Sequence, residues 1–99
     1  MIRAKDMKTT MALAQYAADT VWPLVDQLPE GSLELTVYAG DQYLSNVNRE
    51  WSVCATVRKN SGIGNQRERV AYGNLCVTSE EIDWLAREVR GHIEREAAA

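Results

Sequence analysis

One histidine and two cysteines are all the imidazole and thiol chemistry that this 99-residue sequence carries. Zinc asks for four nitrogen or sulfur ligands, or three plus a water. His92, Cys54 and Cys76 would have to converge with a carboxylate, and no CxxC or HxxxH spacing brings them together. A serine or cysteine triad would have to use His92, which falls late in a polar helical stretch where a surface histidine is the stronger reading. Neither GxGxxG nor GxxxxGK[ST] occurs, so no phosphate cradle is written here. Gly62 and Gly64 lie between two strand-like runs and read as a hairpin loop. No metal, cofactor or catalytic residue is expected, and the size of the core argues against an enzyme's pocket.

Long apolar runs are missing too. No stretch of about 18 apolar residues exists to span a bilayer. Residues 1–6 lack the apolar core of a secretory signal, so a cytoplasmic protein with reduced thiols is expected. An excess of positive charge is also absent. Eleven basic against fourteen acidic residues leave a net of −3, which argues against unassisted binding to a phosphate backbone.

What is present is hydrophobic patterning over one domain's length, 1–99. Residues 7–28 read as a helix, with Met11, Ala14, Ala18, Val21, Val25 and Leu28 stepping by three or four along one stripe. Pro23 interrupts it and predicts a kink or break near Trp22. Residues 33–39 alternate strictly, with Leu33, Leu35 and Val37 inward. Residues 43–48 are ambiguous between strand and loop. Residues 51–57 alternate again, with Trp51, Val53, Ala55 and Val57 on one face. A polar, glycine-containing loop follows over 59–68, then a third strand over 70–77. Thr78 and Glu81 fit a capping box that opens the last helix. Ile82, Leu85, Ala86, Val89 and Ile93 form its buried stripe. The ends, 1–6 and 97–99, are expected to fray.

Matching large residues to large and small to small sets a register for the second and third strands. It pairs Val57 with Ala71, Ala55 with Gly73, Val53 with Leu75 and Trp51 with Val77. Cys54 and Cys76 then share a face diagonally, about 7 Å apart or more, a poor disulfide geometry. A three-stranded sheet needs a cover on one face. The expected fold is therefore α+β and two-layered: helix, three-stranded antiparallel meander, helix, with both helices on one face.

The other face would carry Glu34, Thr36, Tyr38, Ser52, Cys54, Thr56, Tyr72, Asn74 and Cys76. Tyrosine is enriched, and charge depleted, at the centres of interfaces; Tyr38, Thr56, Tyr72 and Asn74 are candidates for partner binding. Trp84 lies about 200° from Ile82 at 100° per residue, opposite the buried stripe, and shares its side with Arg87. Arg58, Lys59, Arg67 and Arg69 gather at the second hairpin as a small positive tip. The last helix sets six acids against three arginines, with Asp83 and Arg87 as an i,i+4 pair.

These features point to a small non-enzymatic protein-interaction module whose partner is a host protein or complex, occluded sterically. In size, acidity and compact α+β pattern the chain is similar to small phage and mobile-element proteins, anti-CRISPR inhibitors among them. No residue motif carries that likeness. The alternatives are a homo-oligomeric structural or adaptor protein, paired through the strand 33–39, and a weak nucleic-acid contact through the basic hairpin. No membrane partner is expected.

Overall fold

The computed structural model describes residues 1–28, 33–43, 49–59 and 72–98. Asp6 starts the first helix, α1 (Met7–Val25), by accepting a hydrogen bond from the backbone N–H of Thr9 at 2.8 Å. The Thr9 hydroxyl accepts in return from the N–H of Asp6 at 3.1 Å. This is a capping box with threonine in the third position. The bond from the Thr9 N–H, with one from the Thr9 hydroxyl to the same Asp6 oxygen at 2.8 Å, holds the Asp6 carboxyl below its ordinary range. α1 passes through Pro23 without a break and ends at Val25. Pro23 sits in the last turn, where its missing N–H removes one bond next to the helix end. Residues 27 and 28 then follow with i→i+3 bonds to Leu24 and Val25, so the helix is shorter than the 7–28 expected.

The buried face of α1 overlaps the stripe its periodicity suggested only in part: Val21 is buried and Ala14, Val25 and Leu28 pack against the core, but the centre of the face lies elsewhere. Thr10, Leu13, Ala17, Val21 and Leu24 are buried, while Met11 is 58% exposed. The buried face is turned by about 70° from the expected one, with Val21 common to both. The cause is composition: α1 is apolar around more than half its circumference, so two overlapping stripes compete. Thr10 disguises the true one. Its hydroxyl is buried without a hydrogen-bond partner among the described residues. Replacing it with an isosteric methyl removes an unsatisfied group and keeps the volume. Thr10→Val is therefore expected to raise the unfolding free energy by about 1 kcal/mol. A urea titration would read this as a higher midpoint at unchanged slope; a lower midpoint would contradict the assignment.

Three strands follow: β1 (Leu33–Tyr43), β2 (Arg49–Lys59) and β3 (Tyr72–Cys76). They form an antiparallel meander in the order β1-β2-β3. β1 and β2 each run four residues longer than their alternating cores. Of the ambiguous stretch, Tyr43 closes β1, and 44–48 lie outside the described residues. So do residues 70 and 71 of the expected third strand.

Leu33, Val53, Ala55, Val57 and Cys76 are buried on one face of the sheet. They pack with Leu13, Ala17, Val21 and Leu24 of α1 and with Ile82, Leu85, Ala86 and Val89 of the second helix, α2 (Ser79–Ala98). The α2 stripe is the one expected. Glu81 reaches back to accept from the N–H groups of Val77 and Thr78, at 3.0 and 3.1 Å. That supplies the carboxylate half of the box read from Thr78 and Glu81. Both helices cover the same face, and the two-layer α+β arrangement is as expected.

The register of β3 differs from the expectation by one residue. Val53 stands opposite Cys76, Cys54 opposite Leu75, Ala55 opposite Asn74, Thr56 opposite Gly73 and Val57 opposite Tyr72. Because side chains alternate, the slip turns β3 over. Cys76 lies in the core, and Leu75 moves to the open face. Tyr72 and Asn74, expected on the open face, occupy register positions of the helix-covered face. The two cysteines no longer share a face, and neither is in a disulfide.

Residues 2–4 pair with residues 77–79. Arg3 bridges Thr78. The N–H of Ala4 donates to the carbonyl of Val77 at 2.8 Å, and the N–H of Ser79 to that of Ile2 at 2.9 Å. The Ser79 hydroxyl accepts from the N–H of Ile2 at 3.0 Å. This short antiparallel pairing continues the sheet past β3 and buries Ala4. At the other end, α2 extends to Ala98.

Candidate functional site

The open face is built in rows by the two registers. Tyr38 of β1 stands opposite Cys54 of β2, which stands opposite Leu75 of β3. The neighbouring row is Thr36, Thr56 and Gly73. Neither row holds a charge. Charge enters at the end of the face, where Glu34 stands opposite Arg58. Tyr38 is 66% exposed, and Thr36, Cys54, Thr56 and Leu75 are half-buried. The Cys54 thiol lies 3.7 Å from the Thr56 hydroxyl, two residues along the same strand. Among the described residues no helix or strand packs on this face at Tyr38, but the face is not open throughout: Ser52, expected on it and lying on the same side of β2 as Cys54, is fully buried. A tyrosine beside a thiol and a leucine offers apolar area with one polar handle, the character of an interface centre.

Trp84 is 45% exposed on α2, as its position opposite Ile82 predicts, and Arg87 is exposed near it. The helices cover the sheet face opposite to Tyr38. Trp84 and Arg87 therefore belong to the outer side of the helix layer, while Tyr38 and Thr56 belong to the outer side of the sheet. The structure splits these candidates between two surfaces that cannot form one continuous patch. Of the basic group, Arg58 is exposed and stands on the open face. Lys59 closes β2 opposite Leu33. Arg67 and Arg69 lie outside the described residues.

Two polar features belong to the scaffold. The Tyr16 hydroxyl of α1 donates to the Asp83 carboxylate of α2. This bond joins the helices. Hydrogen bonding to Asp83, then burial, raises the Tyr16 phenol above its ordinary value. In the core, burial first, then Glu81 and Cys54, push the Cys76 thiol up to about 12. Cys76 thus stays a neutral thiol at physiological pH, and only a thiolate is nucleophilic. Among the described residues, no three His, Cys, Asp or Glu side chains gather to hold a metal ion. Nor is any described helix long and apolar enough to cross a membrane.

Sequence reasoning missed Leu75 as an open-face residue, because Gly73 and Asn74 beside it give no parity signal. It also missed a second exposed apolar feature. Met7 is 67% exposed, and Trp22 is 55% exposed. With Met11 they line a flank of α1 that had been assigned in part to the core. Compared with protein families, curated proteins and solved structures, the chain finds no match.

Proposed function

We propose that this chain is a protein-binding module whose open sheet face lies against a partner protein, and that it acts by covering that partner's surface. The observation that carries this reading is the uncharged row of Tyr38, Cys54 and Leu75 on a face that no described element covers at Tyr38. Tyrosine anchors at interface centres carry a large share of binding energy, and a rim of polar and charged groups excludes water around them. Thr36 and Thr56 flank the row, and Glu34 and Arg58 close its end. An inhibitor of a host protein, of the kind that phages and mobile elements use, would work in this way. It needs no cofactor and no bond-making step.

The test is a pull-down with the tagged full chain from bacterial lysate, beside Tyr38→Arg and Trp84→Ala. The expected result is one stoichiometric partner that Trp84→Ala retains. Tyr38→Arg should bind it more weakly by about tenfold or more. Matching melting curves show that the exposed substitutions leave the fold intact. No enriched partner, or one that Tyr38→Arg binds like the parent, overturns the reading. Loss with Trp84→Ala alone would move the interface to the helix layer and overturn the choice of face.

A further inference from the structure

β1 is an edge strand. Its 11 residues pair with β2 along an unbroken ladder without a bulge. Along its other side, backbone N–H and C=O groups meet no strand among the described residues. Sheet edges are commonly protected by short length, proline, lysine or a bulge. β1 has none of these; its only charges are Glu34 and Asp41.

The exposed flank of α1 lies on the same side of the molecule. α1 packs on β1 and β2, and α2 packs on β3 and on α1. Tyr16 marks the side of α1 that meets α2. At 100° per residue, Met7, Met11, Ala18 and Trp22 fall within about 60° of one another and 120–180° from Tyr16. They therefore face away from α2, toward the free edge of the sheet. Helix flank and strand edge therefore lie along the same border of the molecule, polar backbone in the sheet layer and apolar side chains in the helix layer.

We infer that two copies of this chain pair along that border. β1 meets β1 antiparallel about a two-fold axis normal to the sheet, and the two α1 flanks pack on each other beneath. Three features select a second copy as the occupant. A two-fold axis brings edge to edge and flank to flank together, so one surface complements itself. Charge agrees as well. Residues that meet across this axis share a sheet face, so their numbers share parity, and Glu34 cannot stand opposite Asp41. With the axis near the middle of β1, each acid faces a neutral residue. Area is the third feature. Met7, Met11 and Trp22 expose roughly 350 Å² per copy if each large side chain offers about 200 Å². Doubled, that supplies more than half of the about 1,200 Å² at the low end of specific interfaces, and the paired strands add the rest. The Tyr38 face stays free in this dimer, so the inference stands or falls apart from the partner-binding reading.

The test is sedimentation of the full chain from micromolar to millimolar concentration, beside the double variant Met11→Lys/Trp22→Lys, with amide hydrogen exchange across β1. The expected parent mass is twice the 11.1 kDa of the chain. The variant should be a folded monomer by circular dichroism, since both replaced side chains are exposed. The outward amides of β1 should be protected in the parent and exchange faster in the variant. A monomer throughout, a dimer that survives the charged flank, or a dimer with no difference in β1 protection would each overturn the inference.

Discussion

Leu13→Ala is expected to lower the unfolding free energy by about 3 kcal/mol, and Met11→Ala to change it by less than about 0.5 kcal/mol. The two side chains are similar in size and two residues apart on the same helix. Leu13 is fully buried, and Met11 is 58% exposed. Removing the Leu13 side chain deletes three methyl-sized groups from between α1, the sheet and α2. It leaves a void that a small core cannot fully close. Removing that of Met11 returns area that already faces water. Urea unfolding followed by circular dichroism would measure both. It should be run where the chain is monomeric, because self-association through the α1 flank would couple Met11 to concentration. A large loss at Met11 with a small one at Leu13 would mean that the helix sits in the orientation its raw periodicity suggests.

That contrast shows which parts of the molecule could be read directly. α2 was legible because Glu80, Glu81, Glu88 and Glu94 and the arginines leave only one side for Ile82, Leu85, Ala86 and Val89. α1 offers little such opposition. Lys8, Asp19 and Asp26 mark a narrow polar side, and the remaining arc of alanine, methionine, valine and tryptophan admits two phases. The facing of β1 and β2 followed from strict alternation, since a slip would have put Val53, Ala55 and Val57 in water together. β3 had no such guard. The pairing of Arg3 with Thr78 was also out of reach, because it joins residues 75 positions apart that carry no shared pattern. Of the candidate surface, Tyr38, Thr56, Trp84, Arg58 and Arg87 were found outside the core, as read. What the residues alone could not give was their division between two sides of the molecule, which depends on where the helices lie.

The register of β3 has the second large consequence. Cys76→Asp is expected to unfold the domain, whereas Leu75→Asp should cost only about 1 kcal/mol. Cys76 is fully buried opposite Val53. A carboxylate there must either leave water without a cation to pair with or take up a proton in the core. Either route costs at least about 3 kcal/mol, a large part of what a domain of this size possesses. Leu75 is half-buried on the open face, where an aspartate can turn to solvent. Circular dichroism separates the outcomes: a disordered spectrum for one variant and a parent-like spectrum for the other. The thiols of the parent protein give an independent reading. An alkylating reagent should modify Cys54 in the folded state and reach Cys76 only on unfolding, since Cys76 is fully buried and its thiol titrates near 12. In the alternative register, Val53 faces Leu75 and both thiols stand on the open face. Cys76→Asp would then be mild, Leu75→Asp severe, and both cysteines would react. A strand whose side chains alternate has no intermediate arrangement, so the two variants and the labelling pattern must reverse together.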